Sequence, residues 1–87
     1  LNDITKESAM ALLEITQTVD ARGLSCPLPI VKTAQAVKAL PSGAILEVLA
    51  TDAGSVKDFA AWSKSTGNEV VEQTQDGSVF RFVLRKK

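Results

Sequence analysis

The sequence predicts an α+β fold: a two-layer α/β sandwich of order β-α-β-α-β-β, with both helices on one face of a mixed four-stranded sheet. Three observations carry this expectation. Two segments place apolar residues at helical spacing, each preceded by a strand-like segment, and an Asp-Gly pair near the C-terminus is flanked by alternating residues. Crossovers between parallel strands are right-handed in nearly all proteins, so two of them put both helices on the same side of the sheet.

Residues 1–13 are expected to form a lead-in outside the domain, because Asp3, Lys6 and Glu7 fall among Ile4, Met10, Ala11 and Leu12 without a period. Residues 14–87 are expected to be one domain. From Leu13 to Ala21 the residues Leu13, Ile15, Gln17, Val19 and Ala21 repeat every second position in a Thr-rich setting, which predicts the first strand. Arg22-Gly23-Leu24-Ser25 then turns. Pro27 to Leu40 carries Ile30, Val31, Ala34, Val37 and Leu40 on one side and Lys32, Gln35 and Lys38 on the other, a helix closed by Pro41-Ser42-Gly43.

Ala44 to Ala50 is an almost unbroken apolar run of strand length, the expected central strand. Asp52 and Ser55 are both N-cap types, and Ser55 with Asp58 three residues on makes a weak capping box. The helix that follows shows Val56, Phe59, Ala60 and Ser63 on one face, with Trp62 at its border, and should stop at Gly67. Glu69 to Gln75 and Ser78 to Arg85 flank Asp76-Gly77, with Phe80, Phe82 and Leu84 alternating against Val79, Arg81, Val83 and Arg85. If the first two strands are parallel, both following helices start at one sheet edge. Cys26 and the Thr51-Asp52-Ala53-Gly54 turn become neighbours there, where ligands bind in open α/β sheets.

Composition removes several function classes. A chain of 87 residues, 45% hydrophobic and 23% charged, makes one ordinary globular core. Ten basic and ten acidic residues cancel, so no direct nucleic-acid partner is expected. No run approaches a membrane span, no segment resembles a signal peptide, and the expected location is the cytoplasm. With no His and one Cys, Ser-His and Cys-His dyads, structural zinc sites and intrachain disulfides are excluded, and no metal is expected. Whatever Cys26 does requires a second molecule.

The informative segment is Arg22-Gly23-Leu24-Ser25-Cys26-Pro27-Leu28-Pro29. Proline is favoured at the first helical position, so Pro27 there makes Cys26 the N-cap, its sulfur standing where a capping oxygen normally would. Pro27 and Pro29 have no N–H, which leaves the Leu28 amide as the backbone donor expected to face the sulfur. A helix N-terminus favours a negative group by roughly 0.3–1 kcal/mol, under about one pKa unit from a reference near 8.5. Moderate acidification is the expectation, and Arg22 either adds to it or points into solvent. A lone Cys packs more often as a small buried hydrophobe, but placement at a Pro-flanked helix start favours display. Asp52 is most simply a helix cap, with a role beside Cys26 as the alternative. Arg81, Arg85, Lys86 and Lys87 form a basic cluster that reads as a solvated tail ahead of a docking patch.

The stretch Asp20 to Pro29, continued by Ile30-Val31-Lys32-Thr33, resembles the Cys-Pro-x-Pro signature of the TusA/SirA/YedF-like sulfur carriers. The similarity continues through Pro41-Ser42-Gly43, Thr51 to Asp58 and Phe80 to Lys86, over about residues 15–87. The resemblance implies that Cys26 accepts a sulfane sulfur as a persulfide and relays it to an acceptor protein, as a stoichiometric carrier rather than a turnover enzyme. Pro27, Leu28, Pro29, Arg22 and Gly23 would support it, with Thr51 and Asp52 as neighbours. No cofactor is implied beyond the transient persulfide. The implied donors are cysteine desulfurases or rhodanese-like enzymes, the acceptors DsrE-like proteins, and the free carrier a monomer. Downstream uses in the family are tRNA thiolation, molybdenum-cofactor sulfuration and dissimilatory sulfur metabolism. Two features depart from relatives: Leu28 stands where the tRNA-thiolation carriers have an acidic residue, and Ala60-Ala61-Trp62 stands where some have a second Cys. The alternative reading is a non-catalytic regulatory or adaptor domain with a redox-responsive or structural Cys26.

Overall fold

The computed structural model describes residues 15–87. The expected lead-in over 1–13, and Leu13 and Glu14 of the first predicted strand, lie outside the described residues. Within them the order is β1 (Gln17–Ala21), α1 (Leu28–Lys38), β2 (Ile45–Ala50), α2 (Ser55–Thr66), β3 (Glu69–Asp76) and β4 (Val79–Arg85). The strands form one mixed sheet in the order β1-β2-β4-β3. β1 and β2 are parallel, whereas β4 is antiparallel to both β2 and β3.

Alternation sorts the side chains. Val19 pairs with Val48 and Ala21 with Ala50, while Leu46, Val48 and Ala50 pair with Leu84, Phe82 and Phe80 on the other side of β2. These residues share one sheet face. They form one core with Val37 and Leu40 from α1 and its end and Phe59 from α2, so both helices cover the same face and two layers result. Phe59 and Phe82 are fully buried and stack with centroids 4.5 Å apart, and Trp62 meets Phe59 edge-on at 6.1 Å. The border position of Trp62 thus serves packing.

The core stripe of α1 is rotated from the expected one. Pro29, Thr33 and Val37 are buried, with Leu40 beyond, while Val31 is 45% exposed. Thr33 enters the core because its hydroxyl donates to the Pro29 carbonyl one turn back, which removes the cost of burying it. The hairpin is also one residue out of the expected place: Asp76 pairs with Val79, so Gly77-Ser78 is the loop. Gly77 has φ 62 and, among the described residues, no non-Gly residue has positive φ, as a two-residue turn with glycine first requires. α2 stops where expected, at Gly67 (φ 82), whose amide donates to the Ser63 carbonyl.

The opposite sheet face buries Ile45 and Val83, with Leu49 half-buried beside them, among cross-linked polar side chains. Thr18 of β1 donates to Glu47 of β2, and Arg81 of β4 donates to Glu47 and to Glu72 of β3; Arg85 pairs with Glu69. Lys86 donates to the Leu40 carbonyl. Three of the four cationic groups in the C-terminal cluster are therefore held by partners within the chain.

Two outcomes test this packing. Phe59→Ala should cost about 3–5 kcal/mol, seen as a lower urea midpoint with little change in slope. Arg81 first, and the Thr18 hydroxyl besides, hold Glu47 below the ordinary value of 4.5. A carboxylate whose folded value is depressed adds stability above its unfolded pKa and loses it as pH falls through the folded one. Glu47→Gln should therefore be less stable than wild type at neutral pH by under about 1 kcal/mol after solvent screening. That difference should be lost as pH falls below 4.5 and through the depressed folded value, where Glu47 itself becomes neutral.

Candidate functional site

β1 ends at Ala21 beside Ala50, the last residue of β2, so the two chains leave the sheet together. The amide of Gly23, whose φ of 81 suits glycine, donates to Thr51 Oγ1 at 2.9 Å and ties the two exit loops. A Cβ placed on Gly54 would lie 3.8 Å from the Cys26 Cβ. Cys26 and the Thr51–Gly54 turn are neighbours at one sheet edge, as the parallel pairing predicts.

Cys26 is exposed, but it does not cap α1. The flanking residue is Pro27, at φ −98 and ψ 15, and the helix begins at Leu28 with no side-chain cap. The Cys26–Pro27 peptide is cis. The Leu28 amide donates to the Ser25 carbonyl at 2.8 Å rather than to sulfur. The main chain thus closes the turn itself, and the Cys26 side chain stands one residue outside the helix, turned towards α2.

The Cys26 Sγ donates a hydrogen bond to Asp58 Oδ2 at 2.5 Å. Asp58 lies in the first turn of α2, where the positive end of the helix favours a carboxylate. It was expected to complete a capping box with Ser55. Ser55 is instead the first helical residue, buried inward, its hydroxyl without a hydrogen bond among the described residues. Asp52 shapes the helix entry: its Oδ2 accepts from the Gly54 amide and its carbonyl from the Ser55 amide. Asp58 is the site residue that sequence reasoning missed. The signal was present: an acid in the first turn of the second of two helices that start at one edge.

Electrostatics at the sulfur oppose the helix-dipole expectation. The Asp58 hydrogen bond first, then partial desolvation and the charges of Asp58 and Asp52, push the Cys26 thiol above its ordinary value of 9.0. Arg22 does not offset this. Its guanidinium is bidentate on Asp20, with Nε to Oδ1 and a terminal nitrogen to Oδ2, both at 2.9 Å, and this holds Asp20 down at about 2. Lys32 donates to the Asp20 carbonyl. Pro27 is exposed and Pro29 is buried, while Leu28 and Val31 of α1 are exposed large apolar side chains within five residues of Cys26, at 49% and 45%. Among the described residues, no cluster of three His, Cys, Asp or Glu could hold a metal ion.

A family model described as Sulfurtransferase TusA matches residues 17–86. The chain belongs to the TusA family of sulfur carriers. The Sulfur carrier protein TusA of Allochromatium vinosum is 47% identical to this TusA-family chain over 75 residues, 86% of the chain and 99% of the relative. YrkI of Bacillus subtilis is 50% identical over 70 residues, 80% of this chain and 93% of the relative. The crystal structure of a SirA-like protein from Desulfitobacterium hafniense superposes with a TM-score of 0.70. It covers 80% of this chain and 96% of its own at 22% identity, a likeness of fold. Membership implies a sulfur donor and a sulfur acceptor as partners. Among the described residues no helix is long and apolar enough to cross a membrane.

The site makes a direct prediction. The rate at which iodoacetamide alkylates Cys26 should rise with pH to a midpoint above that of an ordinary thiol, because the neighbouring carboxylates disfavour the thiolate. A midpoint below that of an ordinary thiol would mean that the dipole of α1 governs the sulfur after all.

Proposed function

We propose that Cys26 is the sulfur-bearing residue of this carrier. It takes a sulfane sulfur from a donor persulfide and hands that sulfur to an acceptor thiol. The observation that carries this reading is the exposure of the only sulfhydryl in the chain at the loop edge of the sheet. Loading is an exchange: Cys26–SH and R–S–SH become Cys26–S–SH and R–SH. One S–S bond breaks in the donor and one forms on Cys26, so no outside oxidant is consumed.

The remaining residues of the motif position the sulfur. Gly23 holds the β1 exit loop against Thr51, Arg22 is braced on Asp20, and Pro27 and Pro29 fix the backbone around Leu28. Leu28 and Val31 supply an apolar contact surface for a visiting protein beside the sulfur. A cysteine desulfurase or rhodanese-like enzyme is the donor class and a DsrE-like protein the acceptor class that the family resemblance favours. A lone exposed thiol stays available in a reducing compartment, which favours the cytoplasm. Residues 14–87 are the unit we assign to this work.

Incubation with free cysteine and a cysteine desulfurase should add the mass of one sulfur atom to the wild-type chain, removable by dithiothreitol. Cys26→Ser should gain nothing. No gain on the wild type with either a desulfurase or a rhodanese-like donor would overturn the reading.

A further inference from the structure

We propose that Asp58 is a positioning residue that latches Cys26 as a neutral S–H in the free protein. A sulfur donor or acceptor releases the latch by bringing a cationic side chain against the Asp58–Asp52 pair. This rests on the reading of Cys26 as the sulfur-bearing residue and adds how that site is kept quiet and what chemistry opens it.

The contact at the sulfur has the thiol as its donor. A carboxylate only accepts hydrogen bonds, so the contact between Cys26 Sγ and Asp58 Oδ2 exists with the thiol as donor. Ionising the thiol would remove that bond and set two anions side by side. The charged groups around the sulfur all act in one direction. Asp58 faces it from α2, and Asp52 from the β2–α2 loop, anchored on the Gly54 amide. The cations nearest in sequence are engaged elsewhere: Arg22 on the Asp20 carboxylate, and Lys32 of α1 on the Asp20 carbonyl. The Leu28 amide, the backbone donor that the proline spacing leaves at the start of α1, is spent on Ser25.

Asp58 is unsuited to the opposite role of general base. A carboxylate is a far weaker base than a thiolate, so it does not draw the proton off the thiol before any partner arrives. The thiolate is the attacking species in exchange, so holding the proton on sulfur slows reaction with stray electrophiles and disulfides. A cation placed on the acidic pair by a partner lowers the cost of the thiolate where a correct donor or acceptor is docked. During loading the Cys26 proton leaves as its sulfur attacks and ends on the donor's departing thiolate, so proton and sulfur counts balance.

The test is the pH profile of Cys26 alkylation by iodoacetamide, which involves no sulfur transfer. Asp58→Asn should react roughly three- to tenfold faster at neutral pH, with a midpoint about half to one unit lower. Asp52→Asn should move the same way by less, and Asp58→Glu should restore much of the slow rate. In the wild type, high salt should lower the midpoint by screening the carboxylates, a measurement that depends on no variant folding. Dicationic cystamine should react with the wild type faster than the dianionic 5,5′-dithiobis(2-nitrobenzoate), relative to a small neutral thiol, and that preference should shrink in Asp58→Asn. An unchanged or raised midpoint in folded Asp58→Asn, no effect of salt, or an unaltered preference would each overturn the latch. Persulfide loading of the wild type is scored separately, so a failed latch leaves the carrier standing and a failed carrier leaves the thiol titration standing.

Discussion

The parallel pairing of β1 with β2, which ends both strands level at Ala21 and Ala50, is the constraint on which the site depends. It sends two loops out of the same sheet edge, where the Gly23 amide and the Thr51 hydroxyl bind them together. It also starts α1 and α2 side by side, so that Cys26 and Asp58, 32 residues apart in the chain, come within a hydrogen bond of each other. An antiparallel pairing of the same strands would have put the two helix starts at opposite ends of the sheet. Site geometry is here a consequence of topology rather than of local sequence.

Two electrostatic influences compete at Cys26, and their magnitudes decide between them. A helix start contributes roughly 0.3–1 kcal/mol to an anion, and only within its first turn. Cys26 lies outside the first turn of α1, whose leading amide already serves Ser25. A full carboxylate in direct contact acts over a shorter distance and carries twice the charge of a helix end. The dipole that matters is that of α2, and it stabilises Asp58. α2 therefore reinforces the acid while α1 leaves the sulfur without a donor from its leading amide, and the shift of the thiol takes the opposite sign to the one its motif suggested.

Order, layer assignment and the sheet edge carrying Cys26 were legible in the sequence, because each follows from periodicity and crossover handedness over many residues. What was not legible turned on single hydrogen bonds. Val31 stays exposed where it was expected in the core, and Thr33 is buried because a hydroxyl satisfied by its own helix can be. The hairpin loop moves by one residue because glycine's permissive φ suits the first turn position, leaving Asp76 to pair with Val79. The capping box fails because Asp52, three residues earlier than Ser55, already organises the helix entry. Asp58, freed from capping, faces the sulfur. Spacing alone marks an acid in a first turn as a cap, and only the position of the other helix shows what else it meets.

The same arrangement bears on how one small chain serves two partners. Its folding energy lies away from the sulfur, chiefly in the Phe59–Phe82 core on one sheet face, with Ile45 and Val83 buried on the other. The loops at the reactive edge are held by hydrogen bonds that leave Cys26 exposed. With no second cysteine, sulfur has no route through the protein from an entry point to an exit point. On the proposed reading, donor and acceptor must each bring a sulfur within bonding distance of the same Sγ, past the same Leu28 and Val31 and the same pair of acids. Their footprints must overlap there, so the two cannot be bound productively at once. Transfer then requires the loaded carrier to leave one partner before it meets the next, and the persulfide has to survive that interval at an exposed edge.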